Sequence, residues 1–531
     1  MGSSNYSIPF ELTNVSQVAV AAINADNTLT TGSDLAQSIW AGVGVFARGK
    51  PFEPLKVTKS TFLDVLGDPI KPAVGASFES IRHVYEAIQQ TSGYVVRVVA
   101  ADAKFPWIAF SLKSAAINME YGASVYGAAP ELDSDQFLNL YIDDGDPCDT
   151  TTRAITFTKT TAKDGYDRWK LKLTKTTAAG VTTTLETHTV SFAHDAVDDM
   201  GRPCYIETAL QSRSSYLRAV CDATAALAVD FVDTAALQFT GGTNGSQNAI
   251  TDAQYTKAVS ALDNANVNFT AVLGLGCYSS VALQALADIT SDRRIDGFID
   301  VKPTLTYAEA LTAAQDLELG DYTSVCIYHF PYTHKDHWTT GTVSVGLSGA
   351  AYAAKAIGVK KVTDVGGWHY SPAGQDRGTI NRSQVKIITG SGTPDYDAMY
   401  TARVNKLKTA TNGNMMIDDA ITTYSDENYL RFQHVGSTMN AISRYFNELG
   451  NTLKHQPDGI TQTNLKKEMT KILDRFVASG ALVTPRDPDS DGTSPYILKI
   501  TQVEFDYWKI EWACCLTGTA RRLLGVPSLI K

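Results

Sequence analysis

The sequence predicts a multidomain protein of mixed α/β and α+β class. We expect a mixed-sheet core, an inserted antiparallel β domain, and a C-terminal α+β domain that carries extended arms. Apolar β-rich runs alternate with amphipathic helical patterns, a threonine-rich stretch alternates with period two, and two helical patterns near the end precede a hairpin pattern. With 531 residues, 44% of them hydrophobic, the chain can form several buried cores.

Residues 1–35 are predicted to form an extended arm. They are rich in Asn, Thr, Ser and Ala, and they lack helical periodicity and bulky core residues. Residues 1–47 contain no Lys or Arg, which argues against a secretory signal. No apolar run reaches the ~18 residues needed to span a bilayer. The sequence thus predicts a protein that is cytoplasmic when made and does not insert into membranes.

The predicted α/β core comprises residues 36–100 and 236–385. An amphipathic helix begins near Ser77, and a β-rich run follows at 93–100. Beyond residue 241 the expected strands are 268–275, 294–301 and 322–330, with a further helix at 343–357. Capping boxes at Thr251–Gln254 and Thr306–Glu309 mark two helix starts. Strands separated by helices predict parallel pairing.

Residues 101–235 are predicted to form the inserted β-rich outer domain. Within them, period-two runs are separated by the turns Asp164-Gly165 and Ala179-Gly180, which indicates an antiparallel meander. In this pattern Thr and Lys occupy both faces of the strands, so we expect a peripheral module that contributes little to the main core.

The predicted C-terminal α+β domain covers residues 386–531, ending in a terminal arm. Helices are expected at 439–450 and 464–480, the second stopping at Gly480, and a hairpin at 494–512. One apolar stripe runs along the second helix: Leu465, Met469, Ile472, Leu473, Phe476 and Val477.

Several residue groups contain side chains that occur in metal or catalytic sites. The run Asp487–Gly492 resembles the start of a calcium loop, but its twelfth position is Leu498 instead of Glu, which favours a solvated turn. His329, His334 and His337, beside Asp336, match no standard metal spacing, and an exposed aromatic-rich loop is expected there. The sequence therefore predicts no metal site.

No catalytic constellation is recognisable either. Cys277 lies between a predicted strand and a predicted helix, where the nucleophile of a nucleophile-elbow motif would lie. The glycines around it do not have the spacing of that motif, so an inert buried thiol is expected. We expect Asp418 and Asp419 to lie in a turn or at a contact between subunits. Arg444 is expected to be a core residue that forms a salt bridge. The glycines near Cys277 lack a complete phosphate-binding motif, so no cofactor is implied. Seven scattered cysteines indicate reduced thiols, with cross-linking through Cys514 and Cys515 as an alternative.

The charge balance argues against nucleic acid as a partner. The chain carries 46 Lys and Arg against 56 Asp and Glu, a net charge of -10, which is the opposite of a basic nucleic-acid footprint.

From residue 241 onward the order of motifs resembles the contractile tail sheath proteins of phages and phage-like particles. GGTNG precedes an α/β segment, and AAYAAKAIGVKKVTDVGGWHYSPAGQDRGTI is similar to that family's small-residue helix and its following Gly-Trp segment. The family's Gly, acidic and Thr-Thr stretch, followed by a helix with an Arg, is similar to NGNMMIDDAITTYSDENYLRF and the helix after it. The family's C-terminal domain is similar to the helix ending in VASGAL and the β-rich chain end. Residues 101–235 have no counterpart in this resemblance.

The resemblance implies a non-enzymatic subunit that polymerises helically around a tail tube and contracts to drive the tube through the host envelope, allowing genome ejection. Implied partners are further copies of the chain, the tail tube protein, and the baseplate and tail terminator proteins. The implied location is a virion tail assembled in the host cytoplasm. Residues 1–30 and about 500–531 are expected to interlock neighbouring copies.

The resemblance also implies that the 464–480 helix faces the tube. The candidate contact residues are Lys466, Lys467, Lys471, Asp474 and Arg475. An ordinary solvated face is the alternative. For the whole protein, the alternatives are a receptor- or glycan-binding surface protein of a virion, with Trp169 and Tyr166 as candidate sugar platforms, or a hydrolase using Cys277 or the histidines.

Overall fold

The computed structural model describes residues 34–72, 76–113, 116–127, 130–163, 165–320, 322–504 and 506–519. The predicted N-terminal arm lies outside these residues apart from Asp34 and Leu35, and the chain end from residue 520 lies outside them too.

The α-helices of the described chain are α1 (Phe62–Leu66), α2 (Glu79–Ile88), α3 (Ile206–Arg213), α4 (Ala223–Leu227), α5 (Asp252–Asp263), α6 (Ser280–Arg293), α7 (Tyr307–Asp316), α8 (Ser348–Val359), α9 (Tyr396–Thr401), α10 (Gln433–Leu453), α11 (Asp458–Ala478) and α12 (Pro488–Asp491).

The strands are β1 (Trp40–Val45), β2 (Pro54–Val57), β3 (Gly93–Val98), β4 (Lys104–Lys113), β5 (Ala116–Val125), β6 (Gln136–Ile142), β7 (Thr152–Lys163), β8 (Tyr166–Thr176), β9 (Thr182–Val190), β10 (Leu217–Cys221), β11 (Leu237–Gln238), β12 (Ala271–Leu273), β13 (Asp296–Val301), β14 (Val325–His329), β15 (Tyr332–Lys335), β16 (Thr342–Ser344), β17 (Lys386–Ile387), β18 (Val404–Asn405), β19 (Leu407–Thr409), β20 (Met415–Ile417), β21 (Tyr496–Glu504) and β22 (Tyr507–Cys514).

A seven-stranded mixed sheet forms the α/β core, in the order β18-β14-β13-β12-β1-β3-β2. Every pairing is parallel except that of β2 with β3. Helices α5, α6 and α7 pack on one face, and α2 and α8 on the other, so β1 is buried along its whole length. The predicted parallel strands and both capping boxes are confirmed.

The predicted helix at 343–357 begins too early. Residues 342–344 form strand β16, which pairs with β15, and α8 starts at Ser348. The start is fixed by a residue far away in sequence, because the Asp300 carboxylate accepts hydrogen bonds from the N–H groups of Leu347 (2.6 Å) and Ser348 (2.9 Å).

The threonine-rich stretch forms the predicted antiparallel meander β7-β8-β9. The prediction that both strand faces are polar was wrong, because Ile155, Phe157, Leu171 and Leu173 are buried on one face. They pack with a second sheet, β10-β6-β4-β5, around a separate core. The ring of Phe231 lies at its centre, 5.1 Å from Phe157 and 5.7 Å from Phe110.

Arg97 joins this module to the α/β core. Its guanidinium is fully buried and donates to the carbonyls of Phe46 (2.9 Å), Gly49 (2.7 Å) and Gly145 (2.5 Å), and also to the side chain of Asn244. At Gly145 a Cβ would lie 2.1 Å from the Gly49 carbonyl oxygen, so glycine is required. Asn244 belongs to the GGTNG motif, which thus has a structural role.

Helices α10 and α11 and the β21-β22 hairpin pack around a further core, to which Val359 and Trp368 also belong. Both predicted helices and the hairpin are confirmed, and Gly480 just beyond α11 has φ +79°. None of the described helices has the length and apolar character required to cross a membrane.

Candidate interaction surfaces

Helix α11 is held in place by the predicted apolar stripe. Leu465, Met469, Ile472, Leu473 and Phe476 are all buried, and the Phe476 ring meets Tyr445 of α10 at 5.7 Å. The hairpin closes the same core, since Trp512 of β22 lies 5.0 Å from Phe446. The stripe therefore fixes which side of α11 is left for other contacts.

The five charged residues predicted on α11 fall into two groups. Lys466, Lys467 and Lys471 are exposed; Lys467 and Lys471 lie opposite the stripe, and Lys466 borders it. The other two are bound within the chain: Arg475 forms a two-pronged pair with Asp364 (2.9 and 2.8 Å), and Asp474 accepts a hydrogen bond from the Tyr496 hydroxyl (2.6 Å). The Arg475 guanidinium lowers the pKa of the Asp364 carboxyl.

The three lysines line an open groove between α11 and β21, which we call the lysine groove. Lys499 of β21 contributes a fourth ammonium group, and Leu498 and Ile500 add apolar surface. The groove has a volume of about 930 Å³. Lys499 was not among the predicted contact residues, because nothing in the sequence indicates that β21 lies beside α11.

Residues Asp487–Gly492, which we call the acidic turn, precede β21. Pro488–Asp491 form a single helical turn, closed by hydrogen bonds from Asp491 N to Asp487 O (3.0 Å) and from Gly492 N to Pro488 O (3.1 Å). Asp487, Asp489 and Asp491 are exposed, as predicted for a solvated turn. Among the described residues, no group of His, Cys, Asp or Glu side chains has a geometry that could hold a metal ion.

The histidines expected in an exposed loop are mostly buried, so that prediction was wrong. His329 ends strand β14, His334 is a buried residue of β15, and the buried Asp336 directly follows that strand. Asp336 accepts hydrogen bonds from Arg82 (2.9 and 2.7 Å), and only His337 is exposed, with its ring stacked on Tyr85 at 4.1 Å. Burial lowers the pKa of His329 and of His334 to about 4.

The other candidate residues have structural surroundings. Cys277 is buried, and burial raises the pKa of its thiol to about 12. Arg444 is a core residue, as predicted, but among the described residues it forms no salt bridge; its guanidinium donates to the Arg294 carbonyl and lies 4.6 Å from the Trp368 ring centroid. Asp418 pairs with Lys406 at 2.8 Å. Trp169 is buried and therefore offers no platform for a sugar ring.

Searches against family models and against curated proteins found no match to the sequence. Solved structures do match. The sheath tail protein of Listeria innocua aligns at 11% identity over 91% of this chain and 98% of its own, with a TM-score of 0.50. The chain has the fold of tail sheath proteins. A chain in the cryo-EM structure of the anti-feeding prophage baseplate aligns at 10% identity over 99% of both chains, also with a TM-score of 0.50.

The sheath tail protein of Desulfitobacterium hafniense aligns at 14% identity over 93% of this chain and 99% of its own, with a TM-score of 0.47. At the level of the fold, the resemblance to sheath proteins seen in the sequence is confirmed by the Listeria match.

Proposed function

We propose that this protein is a structural subunit of a contractile tail sheath, which polymerises helically around a tail tube and contracts to drive the tube through a host envelope. The supporting observation is the sheath fold, which is shared with the Listeria protein along almost the whole length of both chains. The proposed role is mechanical: no residue is assigned to catalysis and no cofactor to the mechanism.

The proposed partners are other copies of the chain, the tail tube, the baseplate and the tail terminator. A role at the baseplate is supported by the match to a chain of the anti-feeding prophage baseplate. The proposed location is the tail of a virion or a related particle, assembled in the host cytoplasm. The domain division drawn from the sequence belongs to this proposal, with residues 101–235 as the outer module, but two boundaries move. Strand β18, from the predicted C-terminal domain, is an edge strand of the α/β sheet, and β11 pairs with β7 of the outer module.

Contraction in this proposal needs no nucleotide. Subunits are locked into an extended lattice that is less stable than the contracted one, so the stored free energy is released when a trigger breaks their contacts. Open helical assembly requires heterologous interfaces, and arms that add strands to a neighbour's sheet can keep the copies linked while they rotate. Residues 1–30 are one proposed arm. Of the second, at about 500–531, residues up to Cys514 pair within the chain in the β21-β22 hairpin, so the second proposed arm is the segment beyond the hairpin.

We propose that α11 contacts the tube in the extended state through Lys466, Lys467 and Lys471, with Asp474 and Arg475 holding the helix in place. Exposed ion pairs contribute only about 0 to 1 kcal/mol each, which suits a contact that must break. Changing the three lysines to Glu should weaken assembly on purified tubes. Unchanged assembly would contradict the tube contact while leaving the sheath function intact.

The function itself is tested by electron microscopy of the purified chain over a concentration series, with and without tubes. Hollow, helically striated cylinders are expected. Particles that remain monomeric or closed in every condition, including the presence of tubes, would contradict the proposed function.

A further inference from the structure

The lysine groove carries more positive charge than the chain itself neutralises. Lys471 pairs with Glu468 at 2.7 Å and Lys499 with Glu511 at 3.6 Å. Lys466 and Lys467 are exposed and form no ion pair with any described residue. On a chain with a net charge of -10, the groove is a local positive region, and it fits a compact acidic segment with some apolar surface.

The acidic turn has the matching chemistry. Its three carboxylates are exposed, and none of them pairs with a cation in the described part of the chain. Pro488 at the first helical position and the two backbone hydrogen bonds make the turn rigid, so little conformational entropy is lost when it binds. A single helical turn is small enough to enter the groove.

We propose that, when the sheath contracts and leaves the tube, the lysine groove of one copy takes up the acidic turn of a neighbouring copy. This inference rests on the proposed sheath function. The lysine groove and the acidic turn are different surfaces of the same subunit, as a head-to-tail contact in a helical polymer requires. The same lysines cannot bind the tube and the turn together, so the exchange of partners couples release of the tube to a new contact between copies.

Charge reversal in the full-length chain tests this contact. Two variants each reverse one side: Lys466→Glu with Lys467→Glu, and Asp489→Lys with Asp491→Lys. Each double variant should raise the concentration needed for polymerisation without tubes by about tenfold or more. The variant that combines all four substitutions, the four-fold variant, should return this concentration to the wild-type value. Lys170→Glu with Lys172→Glu, on an exposed face of β8, is the matched control and should behave like the wild type.

Cross-linking gives a second readout that does not depend on polymerisation without tubes. In sheaths assembled on tubes and treated with a mild oxidant that accepts the two electrons, Lys467→Cys combined with Asp489→Cys should form disulfides between copies after contraction but not before. The inference is overturned if the aspartate variant polymerises like the wild type, if the four-fold variant is folded but not restored, or if contracted sheaths give no cross-link. Wild-type chain that forms no sheath even on tubes would instead contradict the proposed function.

Discussion

Buried polar side chains set many of the constraints at the scale of single residues. Arg97 is fully buried and donates to four backbone carbonyls, those of Phe46, Ala47, Gly49 and Gly145. It lies in an apolar β-rich run that gives no indication of this role. Sequence patterns predict that such a run is a strand, but they do not identify the loops whose carbonyls an internal arginine will satisfy.

Replacing Arg97 with Met should destabilise the protein strongly. The change leaves several buried carbonyl oxygens without donors, which costs about 3 kcal/mol or more. Urea unfolding at neutral pH measures the change in the free energy of unfolding. Arg486→Met is the control, because Arg486 is exposed and its replacement should change that free energy by less than about 0.5 kcal/mol. Equal effects of the two replacements would contradict the role given to Arg97.

The buried histidines predict a loss of stability in acid. Burial lowers the pKa of His329, His334 and His369 to about 4 and that of His434 to about 3. Between these values and the unfolded value near 6.5 the unfolded chain binds more protons, so the free energy of unfolding should fall as pH drops through this window. The loss should be present in full only below the folded pKa values.

Urea unfolding at pH 7, 6 and 5 tests this prediction on the wild type and on His434→Gln. The variant should lose less stability between pH 7 and pH 5, because at ~1.4 kcal/mol per pKa unit one buried histidine contributes about 2 kcal/mol to that change. His194→Gln, at an exposed position, should follow the wild type. Identical pH dependence in all three proteins would show that His434 does not set acid sensitivity.

At the scale of helices and strands, the sequence predicted most of the regular structure and little of the contacts between its elements. The stripe on α11 was predicted because a helix repeats every 3.6 residues and its buried positions follow that period. The start of α8 was not predicted correctly, because the Asp300 carboxylate that fixes this start lies 47 residues earlier in the chain. The same limit applies to two of the candidate contact residues: Asp364 and Tyr496, which bind Arg475 and Asp474, are distant from them in sequence.

The two sides of α11 should respond differently to truncation. Leu473 is fully buried between α10 and the hairpin, so Leu473→Ala should lower the free energy of unfolding by about 2–5 kcal/mol. Lys467→Ala, on the exposed side, should change it by less than about 0.5 kcal/mol and should instead weaken polymerisation. Urea unfolding and sedimentation of polymers separate the two effects. A stability loss of similar size for both variants would contradict the placement of the helix.

At the scale of the whole molecule, the core of the outer module shares none of the described residues with the cores of the α/β sheet. The two chain segments that connect the module to the sheet run side by side, because Lys104 and Thr243 exchange both backbone hydrogen bonds (2.9 and 2.8 Å). Residues exchanging both bonds in an antiparallel pair are close enough for a two-residue turn to join them.

Replacing residues 105–242 with Asn-Gly should therefore leave a folded chain. Arg97 loses the Gly145 carbonyl but keeps Phe46, Gly49 and Asn244, so the α/β sheet should retain its circular dichroism and a cooperative urea transition. If the outer module lies at the periphery of the sheath, as we propose, the shortened chain should still form striated cylinders under the electron microscope. A shortened chain that folds but no longer polymerises would place the outer module in the contacts between copies, and one that loses its cooperative transition would show that the two cores depend on each other.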